Sequence, residues 1–267
     1  MKPVVIKLKK KIKYRIDMSF LSNLYKHKSL NSFRSKIIIY GNKEYKAKDI
    51  FHIEGNDVTK LILKSSNDLM DNIGKDLSVM SIKIYGDVGC NLGLRMKSGS
   101  IKLHGNATSN VACGMMGGKI FIFGNTGDYL CAKPNSSNEG LVDGLIYVKG
   151  NVGDYSLHKV RRGNIIIDGN LGKYACKDLL SGSILINGKV GDRFGEGIKR
   201  GTIFTSERNI IKKYSRSINA KFNFIELYNS QVSKIVNKPI FTENKKLQRY
   251  QGHVDSNNLS EVFFFNS

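Results

Sequence analysis

The chain is 267 residues long, enough to bury a substantial core in one large domain or two smaller ones. Its 43 Lys and Arg outnumber 22 Asp and Glu, for a formal charge of +21, of which +11 lies in residues 1–50; such a field favours an acidic partner, whether nucleic acid, anionic cofactor or acidic subunit. No apolar run reaches the length of a membrane span and no signal-peptide core opens the chain, so a cytoplasmic protein is expected.

In chain order, Val4–Ile16 alternates as a strand, through Val4, Ile6 and Leu8 and then Ile12, Tyr14 and Ile16. Met18–His27 reads as a short helix capped by Asp17 or Ser19. Lys36–Tyr40 and Glu44–Lys48, joined at Gly41-Asn42, read as a hairpin. Asp49–Gly55 leads into Leu61–Leu63, and Asn72–Gly74 with Met80 reads as a degenerate first repeat. Residues 1–80 are therefore expected to form a small α+β cap, which a stack of repeats needs to cover its terminal edge.

From Ser81 to Thr205 the chain repeats every 19 residues, broken once by seven extra residues within Lys133–Gly140. Ile82, Ile101, Ile120, Ile146, Ile165, Ile184 and Ile203 form one column, and Ile84, Leu103, Ile122, Val148, Ile167 and Ile186 stand two residues on. Spacing by two puts both columns on one face of a short strand. Each strand is followed by a corner glycine: Gly86, Gly105, Gly124, Gly150, Gly169 or Gly188. A 19-residue unit is too short for two packed helices and lacks a 3.6-residue period. The pattern predicts a mainly β fold, a right-handed parallel β-helix (solenoid) of about seven coils over residues 81–205. Asn106, Asn125, Asn151 and Asn170 share a turn position and are expected to form an amide ladder.

Between the inward columns the outward residue is Lys83, Lys102, Phe121, Tyr147, Ile166, Leu185 and Phe204 in turn. Phe121, Tyr147, Ile166, Leu185 and Phe204 make an apolar stripe that a soluble chain normally covers. Two readings stay open: a subunit interface, or a cover supplied by residues 206–267, where Lys245–Gly252 and Glu261–Phe265 read as a strand pair returning to the array.

Chemistry is sparse. His27, His52, His104, His158 and His253 show no metal-ligand spacing, and Cys90, Cys113, Cys131 and Cys176 occupy apolar repeat positions, as buried thiols would. The Gly-x-x-Gly pieces recur in most repeats without opening a helix, so they are corners rather than phosphate loops, and no serine or cysteine has an activating base beside it. No catalytic residue and no metal site is expected. Asp128, Asp154 and Asp192 share one position and read as a solvated edge. The basic pairs Arg161-Arg162 and Lys199-Arg200 stand at equivalent positions two repeats apart, and Tyr129, Tyr155 and Tyr174 with Arg193 form a ladder on another turn. Such a surface suits an acidic subunit, an anionic cofactor tail or, as a reading from another class, single-stranded nucleic acid. A left-handed-helix acyltransferase is disfavoured, since no regular hexad is present.

The repeats Ile82–Gly99, Ile101–Gly118 and Ile165–Gly182 match I-x-V-x-G-x-x-G-x-x-x-G-x-x-M-x-x-G in large part. With the insertion before Gly144, Arg161–Gly163, Lys199–Ile203, the segment DIFHIEG near residue 50 and the ending RYQGHVDSNNLSEVFFF, the chain resembles the C-type subunit of the formylmethanofuran dehydrogenase family. It is most similar to the C-type subunit of the bacterial formyltransferase/hydrolase complex, and its coil also resembles the C-terminal domain of glutamate synthase. His253 and Asn258 depart from the family ending. The resemblance implies a structural subunit without an active site of its own, in a complex that passes a formyl group between tetrahydromethanopterin and a methanofuran-type cofactor and releases formate. It also implies an amidohydrolase-like A-type partner carrying the metal, a B-type partner and a formyltransferase D-type partner. The archaeal molybdenum or tungsten dehydrogenase is the alternative setting. Arg161, Arg162, Lys199 and Arg200 are then candidate contacts for an anionic cofactor tail.

Overall fold

The computed structural model describes residues 1–26, 29–217, 223–237, 247–253 and 259–265. Strands β1 (Pro3–Leu8) and β2 (Ile16–Asp17) open it, so the single strand expected over Val4–Ile16 is two, interrupted where Lys9, Lys10 and Lys11 put charge on both faces. A 3-10 segment (Ser19–Lys26) replaces the expected α-helix, and Asp17 Oδ1 accepts from the Ser19 N–H at 2.8 Å as its cap. The last residue of that expected helix, His27, lies outside the described residues.

Helix α1 (Leu30–Arg34) leads into the hairpin of β3 (Ile37–Tyr40) and β4 (Lys43–Lys46). The second hairpin strand stops short of Lys48 because α2 (Ala47–Ile50) begins there, with Asp49 Oδ2 accepting from the Lys46 N–H at 3.0 Å. Strands β5 (Phe51–Glu54), β6 (Asp57–Ser66) and β7 (Met70–Asp71) follow.

The repeats supply β8 (Ser81–Gly86), β9 (Ser100–His104), β10 (Lys119–Ile122), β11 (Leu145–Val148), β12 (Asn164–Ile167), β13 (Ser183–Ile186) and β14 (Arg200–Thr205). The chain then runs through α3 (Arg208–Ile211), β15 (Tyr214–Arg216), α4 (Asn223–Val236), β16 (Gln248–His253) and β17 (Leu259–Phe264). The fold is mainly β. One mixed sheet of 13 strands has the order β15-β16-β17-β14-β13-β12-β11-β10-β9-β8-β6-β1-β5.

Its middle is parallel and in register. Ile82 faces Ile101, which faces Ile120, and so on through Ile146, Ile165 and Ile184 to Ile203. All seven are fully buried, as are the residues two positions on from Ile84 to Ile186. The stack extends beyond the repeats at both ends. β6 pairs with β8 (Leu61 with Ile82) and β1 pairs with β6 (Val4 with Leu61), so strands of the first 80 residues belong to the same sheet. β17 pairs with β14 in parallel (Ile203 with Val262) and antiparallel with β16, which realises the strand pair expected at the end except for Lys245 and Lys246, which lie outside the described residues. Residues 254–258 and the His253 side chain, in the segment that departs from the family ending, lie outside the description.

A second line of parallel bridges joins Val88, Ala107, Thr126, Val152, Leu171 and Val190. The turn after it has a backbone that the glycines do not announce. Asn91, Asn110, Tyr129, Tyr155, Tyr174 and Arg193 share one position and all hold φ between 53° and 65°. Two residues on, Ala112, Cys131, Leu157 and Cys176 are left-handed as well. Each such side chain costs about 1–2 kcal/mol, offset because alternate N–H groups bond to the rungs on either side. Asn91 N–H donates to Ser109 O, Gly93 to Ile73 O and Arg95 to Cys113 O, all at 2.9–3.0 Å.

The corner glycines serve a different need. Gly105, Gly124, Gly150, Gly169 and Gly188 do not require positive φ; a Cβ there would fall on the carbonyl of the corner one rung below, Gly150 O in the case of Gly169. Stacked backbones touch at this column. Ile165→Ala should therefore lower stability by about 2–5 kcal/mol through cavity formation, while Gly169→Val should be worse because backbone cannot retreat as a side chain can. Denaturant midpoints of the two variants give the comparison.

Candidate functional site

Polar side chains on the turns cap backbone. Asn106 Oδ1 accepts from Asn125 N–H, Asn125 Oδ1 from Asn151 N–H, Asn151 Oδ1 from Asn170 N–H and Asn170 Oδ1 from Lys189 N–H, at 2.8–2.9 Å. The expected amide ladder thus runs from side chain to backbone. Asp128 and Asp154 do the same for the next rung, with Oδ1 accepting from Asp154 N–H at 2.8 Å and from Lys173 N–H at 2.7 Å. These carboxylates are structural acceptors as much as a solvated edge.

The apolar stripe on the outer face of the sheet is covered from within the chain. Tyr147, Ile166, Leu185 and Phe204 are buried in a second core with Ile225 and Val232 of α4 and with Phe263 and Phe265. The Phe204 ring stacks on Tyr228 at 4.3 Å and on Phe263 at 5.3 Å. Tyr147 donates its hydroxyl to Asp168 Oδ2 at 2.8 Å, and burial followed by that bond pushes its phenol above the ordinary range. A partner could reach Phe121, which is only half-buried, and the exposed residues of α4, Leu227 and the part of Phe224 not packed edge-on against Phe263. Sequence periodicity could not single out α4, because it lies outside the repeat.

Over β8 and β9 the outer face is basic and aromatic. Lys83 and Lys102 are directly paired across β8 and β9. Lys83 sits over the Tyr85 ring at 5.1 Å and Lys102 over Phe121 at 5.6 Å. Tyr85, His104 and Phe123 stack beside them at 5.0 and 4.7 Å. On the turn, Tyr129, Tyr155 and Tyr174 stack at 5.6 and 4.7 Å, and the Arg193 guanidinium lies 5.3 Å over Tyr174 while donating to its hydroxyl. The ladder expected from the spacing is present.

The basic pairs hold equivalent places at the entry to β12 and β14, with Arg200 the first residue of β14, but their surroundings differ. Arg161 is ion-paired with Glu139 of the seven-residue insertion. Arg162 shares a shallow cleft with Asp143 and Glu261, so carboxylates of the chain's own stand where an incoming anion would have to bind. Lys199 and Arg200 are exposed. Of the two pairs, the second offers the less contested positive surface.

Among the described residues no group of three His, Cys, Asp or Glu could hold a metal ion. Cys113, Cys131 and Cys176 are buried, and burial pushes the Cys113 thiol up to about 12 and raises the other two well above the ordinary thiol range. Cys90 is partly exposed. A thiol reagent at pH 8 should therefore label Cys90 in the folded chain and the other three only on unfolding; equal labelling rates for all four would contradict this burial.

The geometry defines a class: a mainly β protein of tandem, glycine-cornered rungs with a helix clasped over its outer face. Residues 25–249 match the GXGXG motif family model, and the chain belongs to that family. The X-ray crystal structure of the formyltransferase/hydrolase complex (FhcABCD) from Methylorubrum extorquens in complex with methylofuran contains a chain of the same fold. The two agree with a TM-score of 0.81 at 24% identity, over 97% of this chain and 98% of that one. No curated protein matches this sequence. Among the described residues no helix is long and apolar enough to cross a membrane.

Proposed function

We propose that this chain is the structural, non-catalytic C-type subunit of a formyltransferase/hydrolase complex, one that passes a formyl group between tetrahydromethanopterin and a methanofuran-type cofactor and releases formate. The observation that carries the reading is its end-to-end likeness to a chain of the methylofuran-bound complex. Membership of the GXGXG family accompanies it. In this reading the repeats wind as a right-handed parallel β-helix over residues 81–205, capped by residues 1–80 and clasped by residues 206–267, in a cytoplasmic protein. In-register pairing of equivalent residues from β8 to β14 supports that winding.

The partners are an amidohydrolase-like A-type subunit carrying the metal, a B-type subunit and a formyltransferase D-type subunit, and the two cofactors act at the level of the complex. Because α4 covers Tyr147, Ile166, Leu185 and Phe204, a partner would dock along the Phe121 margin and over Phe224 and Leu227. Lys199 and Arg200 are the better placed contacts for an anionic cofactor tail, with Arg161 and Arg162 already near carboxylates.

Purification of the tagged chain from its own cell tests the assembly: the expected result is a stable complex containing an amidohydrolase-like subunit, and a monomeric protein sinks the reading. In that complex, Lys199→Gln with Arg200→Gln should weaken binding of the methanofuran-type cofactor and flatten its salt dependence. Unchanged affinity and salt dependence would remove these two residues from the cofactor's path.

A further inference from the structure

The seven-residue insertion that breaks the period builds one wall of a cavity. Residues of successive rungs form the remaining walls, and the space measures about 580 Å³, within the range of small-molecule sites. Asn91, Asn110 and Tyr129, one column of left-handed residues, line it, as do Lys75, Arg95 and Lys133. Arg95 and Lys133 belong to a single repeat position, and the residue between them in that column is Gly114. Gly114 lets the insertion close down, since a Cβ there would press on Pro134, which also lines the cavity.

Its charge is one-sided. Three cations line the cavity and no Asp or Glu does. Arg95 bonds Asp76 through Nη2 at 3.0 Å, while its buried Nε–H has no hydrogen-bond partner. His158, also in the wall, is pulled below its ordinary range by burial first and by Lys159 and Lys133 in addition, against Asp178 at 3.4 Å. Asp76 offsets part of the Arg95 charge and the Asn91 amide already donates to Asn72 Oδ1 at 3.0 Å, so an anion in this half-open space would be drawn by Lys75, Lys133 and the unmatched Arg95 Nε–H, with the Asn110 amide as a further donor.

We propose that this cavity binds a small oxyanion-bearing ligand, carboxylate or phosphate, gripped between Lys75, Arg95 and Lys133 beneath the insertion. Tyr129 and Pro134 supply faces against which the body of the ligand can pack. The site is a property of this chain and does not depend on the assembly proposed above.

Calorimetric titration of the full-length chain with citrate and, separately, with pyrophosphate tests it, the two arms distinguishing carboxylate from phosphate. At least one should bind with an affinity that falls as salt rises. Lys75→Gln with Lys133→Gln should weaken that binding at least tenfold, whereas Lys64→Gln, an exposed lysine of β6 outside the cavity, should leave it unchanged. Ser136→Glu, an exposed change on the insertion, should weaken it as well and covers the case in which the double variant does not fold. Absence of binding by both probes at millimolar concentration, or binding that survives the cavity substitutions, overturns the proposal.

Discussion

The hydrogen bonding of each rung to the next, at equivalent residues, is the constraint on which everything else in this chain rests. It requires that the backbone return to the same place after every repeat. Three consequences follow in physical order. Apolar side chains stack into columns such as Ile82 to Ile203, whose burial supplies most of the stabilisation. Corners approach so closely that only glycine fits at positions such as Gly169. Turn residues are held in left-handed conformations at Tyr129, Tyr155 and Tyr174 because alternating N–H groups need partners above and below.

A stack of this kind leaves two exposed problems, its ends and its outer face. The ends are closed by strands that are not repeats: β5 and β1 on one side, β17, β16 and β15 on the other. β17 copies the register of a repeat strand, and Glu261 fixes it by accepting from Thr202 and pairing with Arg249 at 2.9 Å. The outer face is split. Over β11 to β14 its apolar residues are roofed by α4, whereas over β8 to β10 lysines and aromatic rings remain at the surface. The proposed scaffold role draws on this asymmetry, since one half of the face is closed by the chain itself and the other presents charge.

Regularity makes the centre of the fold legible in sequence. The isoleucine columns, the corner glycines, the tyrosine ladder and the two basic pairs can be read from spacing alone, because equivalent residues in register must become neighbours. Features that depend on non-repeating chain are not legible. Nothing in the period shows that α4 rather than another subunit covers Leu185, or that Glu139 engages Arg161. The left-handed turn column is hidden because Asn, Tyr and Arg occupy it rather than glycine. At the corner column, spacing reveals the position but not the reason: close backbone approach, not φ, excludes a side chain at Gly105 through Gly188.

The cavity beneath the insertion and the clasp over the stripe are both additions to an otherwise uniform stack, and both place chemistry where the period is broken. The stack itself can be tested by deletion. Removing residues 100–118, one full period of 19, should join Gly99 to Lys119 with the register intact, leaving a cooperatively folding chain of somewhat lower stability. Removing residues 101–104 alone, the strand core of one rung, should be worse, because the 15 residues that remain of that rung cannot close it between β8 and β10, and cooperative unfolding followed by circular dichroism should be lost. Equal behaviour of the two deletions, whether both fold or both fail, would contradict a fold governed by the 19-residue rung.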